Sequence, residues 1–259
     1  TDRTRLVCVH HVSNILGQAN PVADYARFVH ERGAKICVDG VAFAPHRTID
    51  VTGWDVDYYV FSVYKCYGPH NAVMYGKYDL LAELDGQYHY FYGKDKVPGK
   101  LEPGNPNYEL AYSATGIVDY LVAFGEHEGA QGSARDKILA AYAAITRQED
   151  MLTDRLLAYL RGRNDCRIIG PDSNNGSTRV PTISFKLDGQ DSGAVAKAVE
   201  AYDIAIRFGD FHARRLVEYL GEDGDSGVIR VSMVHYNSAE QVDRLCQALT
   251  EITSNSAAA

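Results

Sequence analysis

Short apolar runs alternate with an amphipathic stretch in the first part of the chain. Leu6 to His11 reads as a buried strand, Pro21 to Arg32 as a helix with Val22, Tyr25, Ala26, Phe28 and Val29 on or near one face, and Lys35 to Val38 as a second strand. Pro21 suits the first turn of that helix, where its missing N–H would be unpaired in any case, and Gly33 suits its end. Strand, helix and strand at this spacing predict a right-handed parallel crossover. Tyr58 to Phe61 and Ala72 to Tyr75 read as two further strands, with Gly68-Pro69 punctuating the turn between them.

The regular pattern weakens from Tyr78. The aromatic run Tyr88 to Tyr92 and the Gly-, Pro- and Asn-rich stretch after it read as an irregular segment: a subunit contact, a lid, or a turn packed on its own domain. One helix is predicted from Tyr108 through Ala111, Ala114, Val118 and Leu121 to Phe124. A long one follows from Ala134 to Arg161, with Ile138, Leu139, Tyr142, Ile145, Leu152, Leu156 and Leu160 on its apolar stripe. The last third gives strands at Cys166 to Ile169, Val180 to Leu187, Ile204 to Phe208 and Val228 to Val234. Its helices are Gly193 to Tyr202 and Ala239 to Ile252, the loop Asp172 to Thr178 is polar enough to be mobile, and Ser254 to Ala259 is expected to fray. The result is an α/β chain in two parts, 1–132 and 133–259, the second opening with the long helix as a linker.

Composition narrows the classes. With 259 residues, 46% apolar and 23% charged, the chain can bury a sizeable core. No run of 18 apolar residues occurs and the first residues are polar, so neither a membrane span nor a secretory signal is visible. A net charge of −8 argues against nucleic acid, which wants a concentrated basic face. Cys8, Cys37, Cys66, Cys166 and Cys246 lack metal-site spacing, so no metal is expected, and reduced thiols in a cytoplasmic protein fit them best.

Lys65 interrupts the two strand-like runs at 58–61 and 72–75. A lysine held on rigid backbone at such a junction and drawn away from bulk water can lose its proton and act as a nucleophile or Schiff-base former; a solvated loop lysine is the alternative. Upstream, Asp39 stands at the carboxyl end of a short strand, where ligands sit in open α/β sheets, although a lone aspartate there is often a cap or turn former. Together they are the pair that pyridoxal phosphate needs: a lysine to hold it and a carboxylate to keep its ring nitrogen protonated.

Five motifs, in order along the chain, resemble the class V aminotransferase and cysteine desulfurase group of fold-type I pyridoxal-phosphate enzymes. They are His11-Val-Ser-Asn14-Ile-Leu-Gly17, Val38-Asp39-Gly40, Phe61-Ser62-Val-Tyr-Lys65-Cys-Tyr-Gly68-Pro69, Glu102-Pro-Gly104-Asn105-Pro106 and Arg230-Val-Ser-Met-Val-His-Tyr236-Asn237. The resemblance implies the aspartate aminotransferase-like fold, with residues 1–132 as the C-terminal part of the large cofactor-binding domain and 133–259 as linker helix and smaller α/β domain. Relatives carry upstream roughly a hundred or more residues, which supply a phosphate-binding turn and an aromatic residue stacked on the cofactor. A fragment or trimmed chain is therefore expected.

The resemblance also implies roles. Lys65 looks like the Schiff-base lysine, Asp39 like the pyridinium partner, and Ser62 like the serine on the phosphate; Tyr64 stands where desulfurases often have a phosphate-binding histidine. Asn14 matches the asparagine near the cofactor oxygen and substrate carboxylate. Asn105 stands where relatives have a threonine reaching the phosphate of a neighbouring subunit, which implies a homodimer with a shared site. Arg230 matches the arginine on the substrate α-carboxylate, with an ordinary strand-edge salt bridge as the alternative, and Arg207 lies in the substrate loop. Two departures stand out. Asp39-Gly40-Val41-Ala42 lacks the glutamine of the relatives' Asp-Gly-Ala-Gln run, and His212 occupies the place of the persulfide-forming cysteine, near enough to the substrate in that loop to steer a proton. The implied activity is pyridoxal-phosphate chemistry on an amino acid, by transamination, elimination or epimerisation. Desulfurase-like sulfur mobilisation, using another thiol such as Cys66, and a truncated non-catalytic subunit are the alternatives.

Overall fold

The computed structural model describes residues 1–86, 89–102, 104–174 and 178–257. The chain divides into two compact units, Thr1–His11 with Asn20–Tyr142, and Val12–Ala19 with Ala143–Ala259.

In the first unit, β1 (Leu6–His10), β2 (Lys35–Asp39), β3 (Tyr58–Ser62) and β4 (Ala72–Gly76) form one sheet in that order. The first three are parallel and β4 returns antiparallel to β3. His10 pairs with Asp39 and Asp39 with Val60, so the carboxyl ends of the three parallel strands share one edge. Helix α1 (Val22–His30) starts after Pro21, which stands at the N-cap, and is shorter than predicted: Gly33, at φ +71, turns the chain into β2. Val22, Ala26 and Val29 recur at helical spacing and bury against Ile36, Val38 and Tyr59. Each buried valine contributes about 1.5–3 kcal/mol.

Helix α2 (Tyr78–Glu83) escapes the sequence pattern because it buries no side chain. Its C-terminal end is held by Lys100, 2% exposed, whose Nζ donates to the carbonyls of Ala82 at 2.8 Å and Leu84 at 2.7 Å. Of the predicted aromatic run, Tyr88 lies outside the described residues; His89 to Tyr92 lack regular structure. The single helix expected from Tyr108 is two, α3 (Tyr108–Ser113) and α4 (Thr115–His127). Around the joint at Ala114, Ser113 Oγ donates to the Glu109 carbonyl and Thr115 Oγ1 to that of Tyr112, which compete with the helix ladder. Helix α5 (Ala134–Arg161) has the predicted bounds and crosses from one unit to the next between Tyr142 and Ala143. Ile145, Leu152, Leu156 and Leu160 of its stripe are fully buried, whereas Leu139 is 41% exposed.

The second unit holds β5 (Cys166–Ile169), β6 (Thr182–Leu187), α6 (Ser192–Val199), β7 (Arg207–Gly209), α7 (Arg214–Tyr219), β8 (Val228–Ser232) and α8 (Ala239–Ala257). Its sheet runs β5-β6-β8-β7 and every pairing is antiparallel. Leu152, Leu156, Leu157 and Leu160 of α5, Val195 and Val199 of α6, and Val242, Leu245 and Leu249 of α8 bury against Ile183, Phe185, Ile229 and Val231. Helix α8 continues to Ala257, past Ile252 where the sequence pattern ends; the last two residues lie outside the described ones, as do residues 175–177 of the polar loop. No helix among the described residues is long and apolar enough to cross a membrane.

Residues 12–19 belong to this unit because the second sheet holds them. Ser184 Oγ donates to the Ile15 carbonyl at 2.6 Å and the Val180 amide to Gly17 at 2.9 Å. Gly17, at φ +65, sits so close that a Cβ would lie 2.0 Å from the Thr182 carbonyl oxygen. Only glycine meets both demands.

Candidate active site

Lys65 lies on a single 3₁₀ turn, Val63–Cys66, that follows β3 directly. Val63 and Cys66 are buried and anchor the turn, while Tyr64 and Lys65 are exposed. The expectation that Lys65 is drawn away from water is therefore corrected: the turn withdraws its neighbours instead. Among the described residues its amine has no hydrogen bond or ion pair, and Nζ stands 5.9 Å from the Tyr64 ring centroid. Tyr64 stacks on His70, with centroids 5.1 Å apart and planes at 18°. His70 was missed by sequence reasoning; its place just after Gly68-Pro69, beside the lysine turn, was the signal available.

Asp39 ends β2 and is exposed. Its Oδ1 accepts from the Val41 amide at 2.9 Å, and Oδ2 has no partner among the described residues. Asp39 is paired with Val60, five positions before Lys65, so carboxylate and lysine turn leave neighbouring parallel strands at the same edge. Ser62, half-buried, ends β3 opposite Ala72, and its hydroxyl does not cap the turn. Asn105 is exposed and makes no hydrogen bond among the described residues; Pro103 of its motif lies outside them.

These groups fit pyridoxal phosphate. An uncommitted amine, an uncommitted carboxylate oxygen and two hydroxyls, on Ser62 and Tyr64, stand at the carboxyl edge where open α/β sheets take ligands. Val41 and Ala42 add no side-chain donor to that set.

Cys66 is a different matter. It is 4% exposed and lines an apolar cavity of about 290 Å³ with Phe61, Val63, Ile117 and Leu121, and burial pushes its thiol up to about 12. It stays protonated at neutral pH, so the expectation that Cys66 could supply a thiolate for sulfur transfer does not hold.

His11 is the main residue that sequence reasoning left without a role. It is 4% exposed, stacked on Phe43 with centroids 3.6 Å apart and planes at 9°, and meets Trp54 edge-on at 4.8 Å. Its Nδ1 lies 2.9 Å from the Tyr59 hydroxyl. Burial lowers the imidazole pKa to about 4 and raises that of Tyr59, so both groups are neutral at physiological pH and share one hydrogen bond. The unfolded chain takes up a proton near pH 6.5 that the native chain refuses until about 4. Stability is therefore full above pH 6.5 and falls as pH drops through that window, by roughly 3 kcal/mol at its lower end. Urea unfolding at stepped pH should show this slope, and His11→Phe should flatten it; an equal slope in the variant would contradict the assignment.

In the second unit, Arg230 sits on β8 directly opposite Arg207 on β7. Directly opposed residues on antiparallel strands share a face, so two like charges stand side by side, an arrangement that costs stability unless an anion answers it. Arg230 has no ion pair among the described residues, which corrects the salt-bridge alternative. Its Nη1 donates to the Asn14 carbonyl at 3.0 Å, its guanidinium lies 3.6 Å from the Phe211 ring centroid, and its Nε is buried with no partner. Burial lowers its pKa, though arginine remains charged. Asn14 Nδ2 donates to the Phe211 carbonyl at 2.7 Å, tying loop and arginine together. Phe211 and His212 both adopt left-handed backbone, φ 50 and 62, and the His212 amide donates to Asp210 Oδ1 at 2.9 Å. The His212 side chain is exposed. Asn14, Arg207, Arg230 and the His212 loop are thus brought together within this unit, and Lys65, Asp39, Ser62 and Tyr64 within the other.

The model of the family "Aminotransferase class-V" matches residues 1–245, and the chain belongs to that family, whose enzymes depend on pyridoxal phosphate. It is similar to the aminotransferase-like protein FGM3 of Gibberella zeae, 41% identical over 96% of this chain and 59% of that protein. It is also similar to the cysteine desulfurase-like protein ustD of Aspergillus flavus, 36% identical over 96% of this chain and 55% of that protein. Among solved structures, the cysteine desulfurase CsdA from Escherichia coli superposes with a TM-score of 0.79 at 26% identity, covering 98% of this chain and 60% of that one. The chain thus spans just over half the length of these relatives, and its fold is the fold-type I architecture expected from the motifs.

Proposed function

We propose that the protein containing this chain is a pyridoxal-phosphate enzyme acting on an amino acid by transamination, elimination or epimerisation, and not by sulfur transfer. The observation that carries this reading is the placement of Asp39 and Lys65 at the carboxyl ends of adjacent parallel strands, each with an uncommitted polar atom. When bound, the cofactor supplies an electron sink. Lys65 would hold it and would be placed to carry a proton to or from the substrate carbon. Asp39 would keep the ring nitrogen protonated, and the Ser62 and Tyr64 hydroxyls would hold the phosphate. Arg230 offers its fork to the substrate α-carboxylate, with Arg207 adding positive charge on the same sheet face. A homodimer in which Asn105 serves the neighbouring subunit, and a cytoplasmic location, belong to the same reading.

The names of several relatives favour a second reading, cysteine desulfuration. Residue 212 and Cys66 weigh against it: histidine cannot take sulfur from the substrate, and the Cys66 thiol stays protonated. Alanine and cysteine offered to the holoenzyme, with pyruvate and sulfide assayed, separate the two. Little sulfide is expected, and Cys66→Ser should change nothing. Sulfide release at the rate of a desulfurase would restore the second reading, whereas His212→Cys gaining a persulfide would show that the loop geometry is shared and only the nucleophile differs.

A further inference from the structure

The turn that carries Asp39 is gripped from three sides by one buried group. The His11 amide donates to the Asp39 carbonyl at 2.7 Å. Gly40 lies against the Tyr59 ring, so close that a Cβ would fall 2.2 Å from ring carbons and the hydroxyl, and that hydroxyl is hydrogen-bonded to His11 Nδ1. The amides of Phe43 and Ala44 both return to the Gly40 carbonyl at 2.9 Å, and the Phe43 ring stacks on the His11 imidazole. His11 therefore meets the Asp39-Gly40 turn through its own backbone, through Tyr59 and through Phe43. We propose that His11, acting through Tyr59 and Phe43, is the positioning residue that fixes the Asp39 carboxylate at the strand edge.

The chemistry of the residues supports this over simple core filling. An apolar side chain could occupy the same space, but it would leave the buried Tyr59 hydroxyl without its hydrogen-bond partner, and Tyr59 is only 1% exposed. With its hydroxyl held, the Tyr59 ring cannot slide, and Gly40 cannot move without meeting it. Val41 and Ala42 give the turn no side-chain hydrogen bond of their own, so the aromatic packing carries what polar contacts do not. A ring-nitrogen partner must hold its geometry to a fraction of an ångström for its charge to count. Neutral imidazole suits the task because it forms a hydrogen bond and stacks on an aromatic face without bringing a charge into an apolar site.

This inference rests on the reading of Asp39 as the ring-nitrogen partner, and a double-mutant cycle in the full-length holoenzyme separates the two. Tyr59→Phe removes one hydroxyl and no ring, so it tests the link even if His11→Phe fails to fold. It is expected to lower kcat by roughly ten-fold with KM little changed. It should also shift the visible absorption band of bound pyridoxal phosphate in the same direction as Asp39→Ala, by less. In the Asp39→Ala background, Tyr59→Phe should have no further effect on band or kcat, because the residue it positions is gone. Parental band and kcat in Tyr59→Phe, or losses that multiply with those of Asp39→Ala, would overturn the positioning role while leaving the functional reading intact. A parent protein that takes up no pyridoxal phosphate would overturn both.

Discussion

Lys65→Ala should reduce turnover by at least about 10²- to 10⁴-fold, the range lost with a positioned proton-transfer group, and should abolish covalent retention of the cofactor. The same substitution should leave the fold alone. Lys65 is exposed and forms no hydrogen bond or ion pair among the described residues, so its removal should change unfolding free energy by no more than about 0.5 kcal/mol. The combination is diagnostic: a structural lysine would show the reverse. Kinetics with a fixed amino acid, beside chemical denaturation of the same preparation, check it, and a Lys65→Ala protein with parental turnover would remove the lysine from the chemistry.

Arg230→Gln carries the second large effect. A bidentate, charge-assisted pair with the substrate carboxylate is worth about 3 kcal/mol, so kcat/KM should fall roughly 100-fold. Lysine should rescue little of it, since a single ammonium cannot reproduce the fork. Stability is the discriminating readout. Arg230 has no carboxylate partner, its Nε is buried without a hydrogen bond, and Arg207 repels it from across the strand pair. Removing the charge relieves that repulsion but gives up the bond to the Asn14 carbonyl and the contact with the Phe211 ring, so the unfolding free energy of the substrate-free protein should change by no more than about 1 kcal/mol. A drop of several kcal/mol in stability with unchanged kcat/KM would make Arg230 a structural residue.

Much of this arrangement is visible in the sequence, for reasons that differ by element. The strands around Asp39 and Lys65 announce themselves as short apolar runs ended by Gly and Pro, which is why the lysine could be placed at a strand junction. Helix α5 is legible end to end because its apolar stripe repeats over many turns. Helix α7 is not: one buried residue, Val217, and an Arg214–Glu218 pair give no periodicity to read. The His11 site is hidden for another reason. Phe43, Trp54 and Tyr59 lie 32 to 48 positions downstream, and no local pattern records that a tertiary fold gathers them around one imidazole. Exposure is equally non-local: Lys65 and Cys66 are adjacent, and only the 3₁₀ turn decides that the lysine faces out and the thiol in. The attachment of residues 12–19 to the second sheet depends on Ser184, well over a hundred positions away.

The most direct test of the central claim is chemical. The full-length protein, loaded with pyridoxal phosphate, is reduced with borohydride, which fixes the cofactor on its lysine as a stable secondary amine, and then digested and mapped. The expected result is a single modified peptide carrying the label on Lys65, absent from Lys65→Ala and still formed in Asp39→Ala. Label on any other lysine, or none in a protein that binds the cofactor, would contradict the account.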